Sequence, residues 1–120
     1  MGKLHSIERR RETRVECDLA VTVWGVDTRG ERFLQEARAR DVSLSGALLS
    51  GLDVDVRSGD VLGILHAGRK ARYQVVWVRC GEGLGIQAAV HRIEPDICPW
   101  AQLFSEDGEI IQTPVNADSQ

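Results

Sequence analysis

The first stretch able to do chemistry is a cluster of arginines near the amino terminus: Arg9, Arg10, Arg11 and Arg14. A guanidinium group keeps its charge across the physiological pH range, donates paired hydrogen bonds to phosphate oxygens and stacks its flat face on aromatic rings. The same planar fork can donate in parallel to guanine O6 and N7. The cluster therefore suits a small anion. The alternative interpretation is a solvated charge run paired with Glu8 and Glu12.

The second such stretch is a compact polar turn over residues 41–46, which follows a strand-like run. The carboxylate of Asp41 can accept hydrogen bonds from the donors on a guanine edge, and the hydroxyl of Ser43 can bond to a base or a phosphate. Gly46 has no side chain and so leaves room for the close approach of a ligand. The alternative is ordinary turn chemistry, with an aspartate bonded to nearby backbone and a glycine in a left-handed conformation.

Taken together, the two stretches resemble the signatures of the PilZ domain family, small bacterial receptors for cyclic di-GMP. These signatures are an RxxxR arm, often preceded by a further arginine, and a [D/N]xSxxG turn after the first strands. The matching residues are Arg9, Arg10, Arg14, Asp41, Ser43 and Gly46. The resemblance covers about residues 8 to 95, continuing weakly through residues 71–78 and 84–87.

The resemblance implies a cyclic di-GMP site built from those six residues, with the arm and the turn facing one another at the outer surface of a barrel. An arginine directly before RxxxR, here Arg9, is associated in the family with a stacked pair of ligand molecules. A receptor of this kind changes conformation on binding and passes the signal to a partner protein, which the sequence does not identify. Because a flexible arm that bears these arginines can close over a ligand seated on the barrel, we expect ligand binding to order the leader.

Alternation of apolar and polar residues predicts the elements that position these stretches. Residues 15–23 carry apolar side chains at every odd position, the pattern of a strand with one buried face. Residues 27–30 are typical of a hairpin turn. Further strands are indicated at residues 33–41, 47–49, 61–65, 71–79 and 84–91. Short strands with frequent turn signals predict an all-β fold, a small antiparallel barrel of about six strands, because closure removes exposed edges.

The remaining segments complete the predicted organisation. Residues 1–8 are expected to form a flexible leader, residues 9–104 the barrel domain with its arginine arm, and residues 105–120 an acidic disordered tail. A short helix is predicted from about Glu94 to Phe104, covering one barrel opening. Trp24, Trp77 and Trp100 are interpreted as core and lid residues rather than as stacking platforms.

Composition narrows the function classes. A chain of 120 residues, 42% hydrophobic and 28% charged, is typical of one soluble globular domain. No apolar run approaches the roughly 20 residues of a membrane span, and the first residues lack the apolar core of a secretory signal. We therefore expect a cytoplasmic protein without membrane insertion. The net charge of −3 argues against general nucleic-acid binding, which requires a broad basic surface.

The sequence contains few signs of disulfide, metal-binding or catalytic chemistry. The three cysteines, Cys17, Cys80 and Cys98, form no CxxC pair and are interpreted as small buried residues. With no nucleophile and base pair, glycine-rich phosphate loop or metal cluster, the chain is predicted not to be an enzyme and to need no cofactor. Two alternatives stay open: a PilZ-like module that binds proteins but no nucleotide, and a barrel for single-stranded nucleic acid, which an aromatic content of 5% disfavours.

Overall fold

Six antiparallel strands form a closed barrel in the computed structural model, which describes residues 13–81, 83 and 85–104. In chain order they are β1 (Leu19–Val26), β2 (Arg32–Arg40), β3 (Gly46–Leu52), β4 (Val61–His66), β5 (Arg69–Gly81) and β6 (Gly85–Arg92). Around the barrel the order is β1-β2-β3-β6-β5-β4. The predicted all-β antiparallel barrel is confirmed. The predicted leader and acidic tail, residues 1–8 and 105–120, lie outside the described residues.

The alternating pattern after the arginine arm correctly predicts which residues of β1 are buried. The regular strand, however, starts at Leu19, later than the predicted residue 15. Leu19, Val21 and Val23 of β1 are buried, as the pattern predicts. Val15 is also buried, yet it pairs only in an isolated bridge with Val42. The Val15 amide donates to the Val42 carbonyl over 2.8 Å, and the Val42 amide donates back over 2.9 Å. This bridge ties the segment before β1 to the turn that precedes β3.

Strand β5 has 13 residues and belongs to two pairings. Its first half pairs with β4 and its second half with β6. The register with β6 shifts between Val75 and Trp77, so Val76 is an extra residue in the ladder. Because the bulge interrupts the alternation of faces, both Val76 and Trp77 are exposed.

The predicted helix over residues 94–104 is reduced to one 3-10 turn at Ala101–Leu103. Pro95 and Pro99 lack the amide donor that a helix needs, and their rings block a continuous helical path. The segment still covers the barrel, since Trp100 and Leu103 are buried against it. The interpretation of Trp100 as a core residue is therefore confirmed.

The three cysteines differ in their exposure to solvent. Cys98 is buried and Cys17 half-buried, but Cys80 is exposed, so its interpretation as a buried residue is wrong.

Within the part of the chain that the structure describes, no helix combines the length and the apolar character needed to cross a bilayer.

An ion pair joins Asp18, the residue before β1, to Arg38 on β2 and makes stability depend on pH. Arg38 Nε donates to Asp18 Oδ1 over 2.8 Å, and this bond holds the pKa of Asp18 below its ordinary range. A lowered folded-state pKa stabilises the fold above the ordinary value of about 3.9 and ceases to do so as the pH falls through the folded value. We expect Asp18→Asn to lower the free energy of unfolding at pH 7 by about 0.2–1 kcal/mol.

Urea denaturation at pH 7 and pH 3 measures this effect. The difference in the free energy of unfolding between Asp18→Asn and the parent should shrink at pH 3. At that pH the aspartate of the unfolded parent is largely protonated and, like asparagine, neutral. Asp53→Asn, at an exposed position, is the control. An Asp18→Asn deficit as large at pH 3 as at pH 7 would show that the pair does not carry the effect.

Candidate functional site

The segment before β1 and the turn over residues 41–46 meet at one surface of the barrel. Arg14 Nη1 lies 3.2 Å from Asp41 Oδ2, next to the bridge between Val15 and Val42. Both charged side chains reach solvent, with 65% of Arg14 and 39% of Asp41 exposed. The structure therefore brings together one predicted arginine and the predicted aspartate. Arg9 and Arg10 lie outside the described residues.

Asp41 has a backbone conformation that few residues adopt. Its φ is 55°, in the left-handed region, where aspartate is tolerated better than most residues because its short side chain can bond locally. This conformation starts the sharp turn into β3. A substitution at Asp41 must therefore keep the left-handed preference if it is to report on the carboxylate alone.

Ser43 and Gly46 hold the turn together. The Gly46 amide donates to Ser43 Oγ over 3.1 Å, and the Ser43 amide donates to the Gly46 carbonyl over 2.9 Å. Ser43 is only 4% exposed, and a Cβ on Gly46 would lie 2.6 Å from the carbonyl oxygen of Val90 on β6. The sequence interpretation gave both residues a ligand-facing role, and this role stays a prediction. In the structure their closest contacts are within the turn and with β6, and both residues also line the cleft described below.

Gly46→Ala is therefore expected to lower stability before it affects any ligand. The neighbouring atom is a backbone oxygen in the β3–β6 ladder and cannot rotate away, so we expect a loss of about 1–3 kcal/mol in the free energy of unfolding. Urea denaturation measures it. Loss of ligand binding at unchanged stability would instead place Gly46 against the ligand.

Arg92 at the end of β6 and Trp100 beyond it anchor the same turn, and sequence reasoning missed this role. The indole Nε1 of Trp100 donates to the Ser43 carbonyl over 2.8 Å. The Arg92 amide donates to the Ser45 carbonyl over 2.6 Å, and Arg92 Nε donates to the Leu44 carbonyl over 2.9 Å. Arg92 Nη1 also donates to the Asp96 carbonyl over 2.7 Å. The turn is thus held by hydrogen bonds from one buried donor, Trp100, and one half-buried donor, Arg92.

A cleft of about 530 Å³ opens beside the Arg14–Asp41 pair. Its walls come from the turn, β3, β5 and β6, and include Trp77, Arg79 and His91. Trp77 is 40% exposed, so its interpretation as a core or lid residue is wrong. The guanidinium carbon of Arg79 lies 4.9 Å from the centre of the Trp77 ring, a cation–π distance. Arg79 Nε also donates to Gln87 Oε1 over 2.9 Å, which fixes the guanidinium group.

The surface so formed combines two guanidinium groups, an indole face and a carboxylate. Guanidinium groups bind phosphate oxygens, an indole stacks on a purine, and a carboxylate accepts from the donors of a guanine edge. No three His, Cys, Asp or Glu side chains gather as a metal-binding group among the described residues. The arrangement is suited to holding an anionic purine.

Comparison with known proteins gives no relative from which a function could be transferred. The chain matches no family model, no curated protein and no solved structure. A functional assignment therefore depends on the motifs and on the geometry of the cleft.

Proposed function

We propose that this protein is a PilZ-like receptor for cyclic di-GMP that changes conformation on binding and signals to a partner protein. The observation that carries the proposal is the Arg14–Asp41 pair at the edge of a cleft that also presents Trp77 and Arg79. The two motif segments meet at that edge although they are separated by two strands of the barrel.

The ligand requires a receptor to neutralise two phosphates and to recognise two guanines. Arg14 is held by Asp41 in this structure and can exchange that carboxylate for a phosphate or a guanine edge. Asp41, once released, accepts from the guanine donors. Trp77 offers a face on which a guanine stacks, and Arg79 adds a second fixed cation.

The other two arginines of the motif are within reach of the cleft by chain length alone. Arg10 and Arg9 precede Arg14 by four and five residues, and an extended chain spans at most about 3.3–3.6 Å per residue. Their guanidinium groups can therefore cover a ligand seated beside Arg14. Arg9 is the residue that would support a second, stacked ligand molecule.

Titration calorimetry of the full chain with cyclic di-GMP tests the proposal. The expected result is saturable binding of cyclic di-GMP, with much weaker binding of cyclic di-AMP and of the linear dinucleotide, because the cleft should distinguish both the guanine edge and the ring closure. Two ligand molecules per chain would support the stacked pair, and one would remove it. Absence of cyclic di-GMP binding would overturn the proposal and favour the protein-interaction module that binds no nucleotide.

A further inference from the structure

The large exposed apolar side chains of the described residues fall on two surfaces. Val76 and Trp77 line the candidate nucleotide cleft. The other four surround Trp24, on a different part of the barrel: Val26, Leu34, Val61 and Ile97. Contiguous exposed apolar surface rimmed by polar groups is unusual on a monomer and marks interaction sites. The proposed function does not use this second surface.

The second surface is a formed groove. Trp24 lies half-buried on the outer face of β1, opposite Leu34 on β2 and Gly63 on β4. A Cβ on Gly63 would lie 2.1 Å from the Trp24 indole, so the glycine lets the ring lie directly on β4. A groove of about 680 Å³ runs past the ring and is walled by Val61 and by the segment containing Ile97. We refer to it as the Trp24 groove.

The charges around the Trp24 groove are mostly positive. Lys70 and Arg72 line it, and Arg32 lines the adjoining pocket on the other side of Trp24. The groove also contains Asp96, but Arg72 Nε lies 3.0 Å from its carboxylate and compensates it. A cationic rim on a chain with a net charge of −3 favours an acidic partner.

We infer that the Trp24 groove binds a segment of a partner protein that presents apolar side chains between carboxylates. The barrel is closed, with β1 paired to both β2 and β4, so no free edge there accepts an added strand. The partner must instead insert side chains over Trp24, Val61 and Ile97 while its carboxylates face Lys70 and Arg32. This inference is independent of the nucleotide and stands if the chain binds no cyclic di-GMP.

The test uses a short fluorescein-labelled peptide of leucines spaced by glutamates, with a second peptide that has lysine in place of glutamate. We expect fluorescence anisotropy to show binding of the acidic peptide to the full chain and at least tenfold weaker binding of the basic one. Ile97→Glu and Lys70→Glu should each weaken the acidic peptide by about tenfold or more. Ile97 is 72% exposed, so its substitution leaves the core untouched.

Two matched variants serve as controls. Val76→Glu places the same charge at an exposed apolar position in the other cleft, and Arg69→Glu reverses a cation on the residue beside Lys70 that does not line the groove. Both should bind the acidic peptide within about twofold of the parent.

Three results would overturn the inference. The first is a lack of specificity, seen as equal binding of the two peptides or as equal effects of the groove and control variants. The second is a dimer on size-exclusion chromatography that Ile97→Glu dissociates, which would assign the groove to a second copy. The third is a rise in peptide affinity on Ile110→Glu, which would assign it to this chain's own carboxyl-terminal residues.

Discussion

Replacing Arg14 with alanine is expected to weaken cyclic di-GMP binding by about 100-fold or more, with little change in stability. A guanidinium fork on a phosphate or guanine edge forms charge-assisted bonds, each stronger than a neutral one. A 100-fold loss corresponds to about 2.8 kcal/mol, at 1.4 kcal/mol per tenfold. The pair with Asp41 is largely exposed, so its loss should cost at most about 1 kcal/mol in folding. Titration calorimetry and thermal denaturation measure the two effects.

Three further variants separate the contributions to this site. Arg14→Lys keeps the charge but loses the fork, and should recover only a small part of the affinity. Asp41→Asn removes the charge while keeping a residue that tolerates a positive φ, and should reduce the preference for guanine over adenine. Arg29→Ala, at an exposed position in the turn between β1 and β2, is the control. Equal binding by Arg14→Ala and Arg29→Ala would place the site elsewhere.

Trp100→Ala is expected to produce the largest loss of stability, about 3–5 kcal/mol. The side chain is fully buried and packs against Tyr73, with ring centres 5.8 Å apart, and against His66, at 6.2 Å. Truncation removes these contacts and leaves a cavity beneath the turn. It also removes the indole donor to the Ser43 carbonyl. Urea denaturation followed by far-ultraviolet circular dichroism measures the loss.

Trp100→Phe separates packing from hydrogen bonding. Phenylalanine fills most of the space but has no N–H, so the remaining cost should be about 1–3 kcal/mol for the donor withdrawn from a buried carbonyl. Under conditions where this variant is folded, cyclic di-GMP binding should also weaken, because the turn loses an anchor. Stability within 1 kcal/mol of the parent for Trp100→Ala would contradict the supporting role of this residue.

The local features of the fold could be predicted because short-range patterns encode them. Alternation from Val15 to Val23 marks the buried face of β1, and Ala37 and Ala39 mark that of β2. The hairpin after β1 is read from Asp27, whose carboxylate accepts the amides of Arg29 and Glu31 over 2.9 Å. Such signals depend on neighbours in the chain, which one sequence supplies.

Other features depend on contacts between distant segments. Trp77 is exposed because the β5–β6 register shifts beside it, and no local pattern specifies that shift. Gly46 is required because Val90, from another strand, occupies the space of its side chain. Trp100 and Arg92 reach the turn from about fifty residues further along the chain. For the same reason, the sequence predicts which segments form the site more completely than it predicts which atoms line it.

Arg92 contacts both the turn beside the candidate nucleotide cleft and the wall of the Trp24 groove. Arg92 holds the Leu44 carbonyl of the turn with one nitrogen and the Asp96 carbonyl of the groove wall with another. A shift of either carbonyl must move or break a bond to the same guanidinium group. If the cleft binds a nucleotide and the Trp24 groove binds a partner, we expect any coupling through Arg92 to be reciprocal: the factor by which the nucleotide alters the affinity for the partner equals the factor by which the partner alters the affinity for the nucleotide.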